Sequence, residues 1–302
     1  MSEEGVPRLL EADPSRDRLQ ARTAARYGYL WRRSLDRPVG PAYHFDRMRQ
    51  RLSLSPLEGL VLDAGCGEGI DLARHAGQPG LAVVGVELSE WGCRASARRT
   101  RGVSSAAVVQ GDLRRLPFAD GTFDFIYSYG VLHHLPEPAE GLRELVRVLK
   151  PGAPVVAYLY EDFSDRGVAW RSLLGLVNGL RPITTRMPPP LLELLCRAAA
   201  PIAFLACALP ARLARRFPRG ARLAEAMPFR HAEGLWSLWG DLYDRFATPI
   251  EHRYSRAGAL ALFDRAGVHG VRIAQDRGWM VVGRKPRREE AVLVATGESD
   301  EH

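Results

Sequence analysis

Three glycines alternate with other residues directly after an apolar run that ends at Asp63. Gly65, Gly67 and Gly69 can adopt positive φ and let backbone N–H groups come close to a ligand. Residues 70–75 have the character of the first turns of a helix, and the N-terminus of a helix favours an anionic group. The spacing predicts a loop for a nucleotide-type cofactor, although a glycine loop alone also fits an ordinary turn between a strand and a helix.

A second apolar run, 81–86, ends at Glu87, about 20 residues after the loop, where a ribose-binding acid belongs. A carboxylate at that end of a strand can accept hydrogen bonds from both ribose hydroxyls. The fingerprint of NAD-binding proteins requires its third glycine where this chain has the bulky Ile70. These residues predict a nucleoside cofactor and disfavour NAD.

The loop also resembles the first motif of the class I S-adenosylmethionine-dependent methyltransferases, which is an acid followed by alternating glycines, here over 63–69. Three further segments match that family in order and at its spacing. They are a strand over 108–113 that ends in Gly-Asp-Leu, a strand and turn over 122–135, and a helix over 139–150 that Pro-Gly stops before a strand over 153–160. The resemblance covers roughly residues 58–160. It implies S-adenosylmethionine as the cofactor and methyl transfer as the reaction.

The resemblance also implies which residues hold the cofactor. Asp112 takes the position that binds the adenine amino group in the family. A helix before the first strand closes over the cofactor in related enzymes, so Tyr27 is a candidate contact with the methionine portion, the alternative being that its aromatic cluster only packs. The complete set of candidate cofactor-binding residues is Tyr27, Asp63, Gly65, Cys66, Gly67, Glu87, Leu88, Asp112, Leu113 and Tyr129.

The pattern and the resemblance together predict an α/β fold: a doubly wound, seven-stranded, mostly parallel Rossmann-like sheet with a helical cap inserted after the fifth strand. Ligands of such sheets bind beyond the carboxyl ends of the strands, so a cap inserted there is expected to build the acceptor pocket. The expected divisions are a mobile N-terminal segment (1–20), a helical lid with the cofactor-binding core (21–160), the cap (161–254), the end of the sheet (255–286) and a mobile tail (287–302).

Two histidines and a later polar stretch are candidates for catalysis. His133 and His134 follow the predicted fourth strand, and imidazole titrates near neutrality, so either can take a proton from an acceptor. His134 resembles in position the histidine that some small-molecule methyltransferases use, and the alternative for both is a capping or core histidine. In the polar stretch 239–254, Tyr243 and His252 are candidates for orienting a hydroxylated acceptor. The same stretch also fits a salt-bridged structural joint.

The composition limits the class of protein. The 302 residues carry a net charge of +7 with a pI near 9.5, and 46% of them are hydrophobic, enough for a sizeable core. The arginines are scattered without an aromatic-basic repeat, which argues against a nucleic-acid substrate. The four cysteines lack metal-ligand and CxxC spacing, and the first twenty residues lack the apolar stretch of a signal peptide. We expect no metal and a reducing cytoplasm.

Within the cap, an uncharged run over 198–211 is followed by five arginines between Arg212 and Arg222. The run is shorter than a bilayer-spanning helix and contains two prolines, which predicts a broken segment. It either packs on the core or lies at a membrane interface with the arginines at the lipid head groups. In the second case the protein is peripheral to the inner face of the membrane, through residues 198–222.

The sequence as a whole predicts S-adenosylmethionine-dependent methyl transfer to an oxygen, or to a nitrogen, of a small-molecule, glycan or lipid-linked acceptor. The alternative is an S-adenosylmethionine-binding protein that catalyses a non-methylating reaction or contacts a partner or a membrane through its cap. No residue pattern identifies the acceptor or the oligomeric state.

Overall fold

The computed structural model describes residues 5–9, 18–34, 44–217, 220, 224, 227–230, 232 and 234–287. The contacts divide the chain into two compact units. The first comprises Met1–Arg171 with Ile250–His302, and the second comprises Ser172–Pro249. The bounds of the second unit lie inside the predicted cap, 161–254.

The first unit contains a seven-stranded sheet. Its strands are β1 (Gly59–Ala64), β2 (Leu81–Glu87), β3 (Ala106–Gln110), β4 (Phe125–Tyr129), β5 (Pro154–Leu159), β6 (His269–Gln275) and β7 (Trp279–Arg284). Their order is β3-β2-β1-β4-β5-β7-β6, and only β7 runs antiparallel to its neighbours. The predicted fold class, a doubly wound and mostly parallel sheet, is confirmed.

Helices cover both faces of this sheet. They are α1 (Arg18–Ser34), α2 (His44–Leu52), α3 (Ile70–His75), α4 (Glu90–Arg99), a 3₁₀ turn (Leu132–His134), α5 (Pro138–Val148) and α10 (Arg256–Asp264). On one face, Leu142 of α5 and Phe263 of α10 are fully buried in the larger core. On the other face, Phe45 of α2 and Leu72 of α3 are buried in a second core.

The strand order fixes where a ligand can bind. The chain moves outward from β1 to β2 and β3, then returns to the other side of β1 with β4 and β5. The order therefore reverses between β1 and β4. Ligands of open α/β sheets bind beyond the carboxyl ends of the strands at such a reversal.

Part of the segment that was predicted to be mobile, residues 1–20, packs against the first unit. Val6 is buried in a core, and the segment after it pairs with the end of β3. Gln110 N donates to the Pro7 carbonyl, and Leu9 N donates to the Gln110 carbonyl, each at 2.9 Å. The reason is that β3 is an edge strand, whose unpaired backbone groups this segment satisfies. The remaining residues before Arg18, and residues 288–302 of the predicted tail, lie outside the described ranges.

The second unit is helical in its described part. α6 (Val168–Thr184) leads into it, followed by α7 (Pro189–Ala203), a π-helical turn (Phe204–Ala208), α8 (Leu209–Ala214) and α9 (Leu235–Ala247). α7 packs against α9. The buried side chains of this pair include Leu192 and Cys196 on α7 and Leu238 and Trp239 on α9.

The predicted break in the apolar run 198–211 is wrong. α7, the π-helical turn and α8 form one continuous helix, Pro189–Ala214, which passes through Pro201 and Pro210. Proline removes an N–H donor and crowds the preceding turn, and the wider π-helical turn between the two prolines accommodates both effects. Among the described residues, this is the one helix long and apolar enough to cross a membrane by length and composition, and 28% of its most apolar window is buried.

Candidate active site

The glycine loop leaves the carboxyl end of β1 and turns into α3. Gly65, Gly67 and Gly69 have φ values of 88°, 54° and 77°, which only glycine adopts without strain. A Cβ atom on Gly65 would lie 2.3 Å from a methyl carbon of Val131, and one on Gly67 would lie 3.1 Å from the Trp31 ring. The loop therefore has close neighbours from α1 and from the segment after β4.

The Glu87 carboxylate ends β2 and is tied to the loop. One oxygen accepts a hydrogen bond from Gly67 N at 3.1 Å, and the other accepts one from Ser89 N at 2.8 Å. Burial raises the pKa of Glu87, and these backbone donors oppose that rise. A carboxylate offers about four acceptor positions, so this one can still accept the two hydroxyls of a ribose.

Asp112 follows β3 and is held from two elements. Arg114 donates to it through Nη2 at 2.8 Å, and Gln20 of α1 donates through Nε2 at 3.2 Å. Burial raises the pKa of Asp112, but the hydrogen bonds and charge of Arg114 outweigh it, so the pKa lies below its usual value. Asp112 is thus an ionised acceptor in a fixed orientation. Sequence reasoning missed Gln20 and Arg114, because neither lies in a motif.

Asp63 and Cys66 make contacts inside the protein. Asp63 is buried, and burial followed by the nearby charge of Asp71 raises its pKa well above the usual value. The Cys66 thiol lies 3.4 Å from Ser96 Oγ, and its Sγ and Cβ atoms would lie 2.7 and 3.1 Å from a Cβ on Gly85. The Cys66 side chain therefore supports the loop from the sheet side.

Leu88 and Leu113 follow the ends of β2 and β3. The Leu88 carbonyl accepts a hydrogen bond from Gln110 Nε2 at 3.0 Å. Leu113 is buried in the larger core. Both lie next to the acids that they were predicted to accompany, and their contact with a cofactor stays a prediction.

Tyr27 of α1 and His134 of the 3₁₀ turn meet directly. Tyr27 Oη lies 2.7 Å from His134 Nε2, although 107 residues separate the two in sequence. His134 Nδ1 lies 2.7 Å from the carbonyl oxygen of Ile250. Tyr27 is half-buried and also stacks on Trp31, with ring centres 5.9 Å apart. The structure thus joins a predicted cofactor contact to a predicted base.

His133 differs from His134 in its surroundings. His133 is 0% exposed, and burial lowers its pKa well below 6.5. Its ring packs on Tyr160 with centres 3.9 Å apart. These surroundings favour the alternative of a core histidine, and the role of His133 as a base stays a prediction.

A row of aromatic rings lies at the carboxyl ends of β4 and β5. Tyr129 stacks between His44 and Tyr158, with ring centres 4.3 and 4.5 Å away. Tyr160 follows β5 and contacts both His133 and Tyr158. Sequence reasoning singled out Tyr129 alone. The signal that could have found the others is the Tyr-Leu-Tyr alternation at the end of β5, which places two rings on one face.

The last two predicted residues have mainly structural positions. Tyr243 belongs to α9 of the second unit, where it is 1% exposed and lies beside Trp239, with ring centres 6.0 Å apart. The role of Tyr243 in orienting an acceptor stays a prediction. His252 is half-buried in the first unit, and its backbone N donates to the His133 carbonyl at 2.8 Å.

Arg253, which the sequence allowed as a salt-bridge partner of Asp244, forms an ion pair with Glu251 in the same segment as His252. Arg253 Nε donates to Glu251 at 2.7 Å, Arg253 Nη1 donates to the Glu161 carbonyl at 3.0 Å, and the guanidinium lies over the Tyr160 ring. Glu251 and Arg253 are both largely buried. This segment therefore joins the end of β5 to the return of the chain into the sheet.

Comparison with known proteins shows which family the central part of the chain matches. Residues 62–157 match the family described as a methyltransferase domain. Norajmaline N-methyltransferase of Rauvolfia serpentina is 32% identical over 125 residues, which cover 40% of this chain and 40% of that protein. Demethylmenaquinone methyltransferase of Staphylococcus saprophyticus is 37% identical over 99 residues, 32% of this chain and 42% of that protein. The similarity thus spans less than half of either curated relative.

A methyltransferase of Haloferax volcanii, solved in complex with the methyltransferase activator Trm112, aligns with a TM-score of 0.49 and 16% identity. The alignment covers 90% of this chain and 99% of that one. The matched motifs and the observed sheet establish that the chain carries a class I S-adenosylmethionine-dependent methyltransferase domain. Its cofactor is S-adenosylmethionine.

The residues of the loop fit this cofactor. Glycine at position 67 leaves open a place beside Trp31 that a Cβ would fill. Glu87 and Asp112 each present a fixed carboxylate at the end of neighbouring strands, where hydroxyl and amino donors can be bound. Glu87 would hold the ribose and Asp112 the adenine amino group.

Proposed function

We propose that the chain transfers a methyl group from S-adenosylmethionine to an oxygen, or to a nitrogen, of a small-molecule, glycan or lipid-linked acceptor. The observation that carries this proposal is the hydrogen bond of 2.7 Å between Tyr27 and His134. Acceptors of both kinds carry a proton that must leave during transfer, and this pair is a proton-accepting group on the same unit as the cofactor motifs.

The protonation state of the pair follows from its partners. A carbonyl oxygen can only accept a hydrogen bond, so His134 Nδ1 carries the proton that it donates to the Ile250 carbonyl. Nε2 is then the unprotonated nitrogen and accepts the Tyr27 hydroxyl. Since Tyr27 is half-buried and His134 is buried, an acceptor meets the phenol first.

The proposed proton path therefore has two steps. The acceptor hydroxyl gives its proton to the Tyr27 oxygen while the Tyr27 proton moves to His134 Nε2. The acceptor oxygen becomes the nucleophile, and the resulting imidazolium is stabilised by its bond to the Ile250 carbonyl until it returns the proton to solvent.

S-adenosylmethionine supplies the methyl group on a positively charged sulfur. The chain supplies alignment, because Glu87 and Asp112 would fix the nucleoside beside Gly67 and the ring of Trp31. Alignment of reacting groups is worth up to ~7–11 kcal/mol. A reducing, cytoplasmic compartment is part of the proposal, and the four cysteines, all free, support it.

The test uses S-adenosylmethionine labelled in its methyl group, together with aqueous and lipid-phase extracts of cells as acceptor pools. We expect label in a new small molecule, and we expect His134→Ala to lower its formation by ~10²–10⁴-fold with cofactor affinity nearly unchanged in calorimetry. Tyr27→Phe should approach the same loss, because the ring stays but the relay is broken.

Two results would contradict parts of this proposal. Cofactor binding without label transfer to either extract would favour the alternative of a non-methylating or partner-binding protein. Normal turnover of Tyr27→Phe beside a slow His134→Ala would make His134 the direct base and remove Tyr27 from the path.

A further inference from the structure

Exposed apolar side chains are concentrated in one part of the chain. Apart from Leu9 and Leu19, every large hydrophobic side chain that is exposed among the described residues lies between Val168 and Leu235. A soluble domain normally scatters such residues singly, whereas a contiguous group marks an interaction surface.

On α6 these residues follow a helical spacing. Leu173, Leu176, Leu180 and Ile183 are three or four positions apart, so they share one face, and all four are exposed. The buried residues of α6 are Leu174 and Val177. The helix is therefore apolar on the face that meets protein and on the face that does not.

The continuous helix Pro189–Ala214 repeats the arrangement. Its buried residues include Leu192, Cys196 and Ala200, which are four positions apart and belong to the face packed inside the unit. Its exposed apolar residues, Leu191, Leu194, Leu195, Ile202, Leu205 and Leu213, lie outside that buried row. A water-facing helix normally has charged and polar residues there. We call the exposed residues of the two helices the apolar surface.

The charge of this segment has one sign. Residues 166–217 contain eight arginines and one acidic residue, Glu193, which is buried and paired with Arg197 at 2.8 Å. Arg186, Arg215 and Arg216 are exposed near the ends of the two helices. Exposed apolar residues flanked by arginines complement a bilayer that has acyl chains inside and anionic phosphates at its surface.

We propose that the apolar surface docks on an anionic lipid membrane, with its leucines and isoleucines at the acyl boundary and the arginines at the lipid phosphates. Burial of one row of α7 against α9 leaves only part of the helix for lipid, which favours a helix lying in the interface over one that crosses the bilayer. The docking does not depend on methyl transfer. The consequence that the acceptor is drawn from the lipid phase rests on the proposed function.

The test is flotation of the full chain with vesicles of phosphatidylcholine alone, or of phosphatidylcholine with one quarter phosphatidylglycerol. We expect the wild type to float with the anionic vesicles and at least tenfold less with the neutral ones. Leu194→Ser/Ile202→Ser/Leu205→Ser should abolish flotation while S-adenosylmethionine binding by calorimetry stays within twofold. The matched control Leu9→Ser/Leu19→Ser, which removes two exposed leucines of the first unit, should float as the wild type does.

The charge is tested separately by Arg186→Gln/Arg215→Gln/Arg216→Gln, which should lower flotation at least tenfold. Equal binding to both vesicle types, or no effect of this variant, would overturn the anionic assignment. Failure of the wild type to float would overturn the docking. A dimer in solution that the triple serine variant dissociates, without flotation of either form, would assign the surface to a second copy of the chain instead. Cofactor binding and label transfer in detergent-free buffer report on the proposed function independently of all these results.

Discussion

The side chains at the carboxyl ends of β2 and β3, which we call the cofactor edge, differ in burial and bonding from those of the apolar surface. At the cofactor edge, charged groups such as Glu87 and Asp112 are partly buried, and each is fixed by several donors. On the apolar surface, side chains such as Leu194 and Ile202 are exposed. Binding of a cofactor requires precisely placed carboxylates at the cofactor edge. Binding of lipid requires only that the side chains of the apolar surface be apolar. Substitutions should therefore have large, position-specific effects in one region and small effects in the other.

Two glycines, one in each unit, should respond in opposite ways to the same substitution. Gly65→Ala should abolish cofactor binding and lower the free energy of unfolding by about 1–3 kcal/mol, because φ is 88° and the added Cβ would overlap Val131. Gly175→Ala in α6 should raise stability by about 0.4–1 kcal/mol, since a Cβ there has no atom within 4 Å. Urea unfolding and calorimetry measure both. Similar changes in unfolding free energy for the two variants would contradict the expected difference between the two regions.

The glycine loop was predictable because its requirement is local. Positive φ at alternate positions requires glycine, so the three alternating glycines of 63–69 predict the backbone geometry of the loop. The strands before Glu87 and Asp112 were also predictable from local sequence, because buried parallel strands consist of apolar runs. The observed β3 ends at Gln110, slightly before its predicted end, because Asp112 turns away to meet Arg114.

A second substitution tests whether the fixed carboxylate binds ligand as well as the loop. Glu87→Gln keeps the shape but removes the charge, and we expect cofactor affinity to fall by ~10–100-fold, from a loss of about 1.5–3 kcal/mol in charged hydrogen bonding. Glu90→Gln is the matched control, because Glu90 is half-buried and pairs with Arg8 and Arg94 rather than with the glycine loop. Unchanged affinity in a folded Glu87→Gln protein would remove Glu87 from the cofactor site.

Contacts between distant segments were beyond sequence reasoning. Tyr27 and His134 were each singled out, but nothing local shows that a residue of α1 hydrogen-bonds a residue 107 positions later. The neighbouring residues His133 and His134 also look equivalent in sequence. Only the packing of Tyr160 shows that one ring is enclosed while the other faces Tyr27. In the second unit, the continuity of the helix through Pro201 depends on a π-helical turn that carries no sequence signature.

The enclosed His133 gives the first unit a pH dependence that can be measured. Its pKa in the folded protein is well below 6.5, whereas the unfolded chain binds a proton near 6.5. Stability from this residue is therefore complete above pH 6.5 and is lost as pH falls below it, by up to ~1.4 kcal/mol per pH unit. His133→Phe should reduce the slope of unfolding free energy between pH 6.5 and 5.5. His75, whose pKa burial also lowers, should keep part of it.

The matched control for that measurement is His269→Gln, because His269 is exposed on β6. Its slope should equal that of the wild type. A His133→Phe protein with an undiminished slope would mean that the buried ring does not control the acid response of the first unit.

The smallest expected effect lies on the apolar surface, and it separates protein packing from lipid contact within one helix. Leu174 and Leu176 of α6 are two positions apart, but Leu174 is buried and Leu176 is 62% exposed. Leu174→Ala should lower the free energy of unfolding by about 2 kcal/mol, because it removes packed methyl groups and leaves a cavity. Leu176→Ala should change it by less than ~0.5 kcal/mol in buffer, since its side chain contributes little to protein packing. A loss of 2 kcal/mol from Leu176→Ala in urea unfolding would mean that this face is covered by protein in solution, and the membrane would then have no apolar surface to bind.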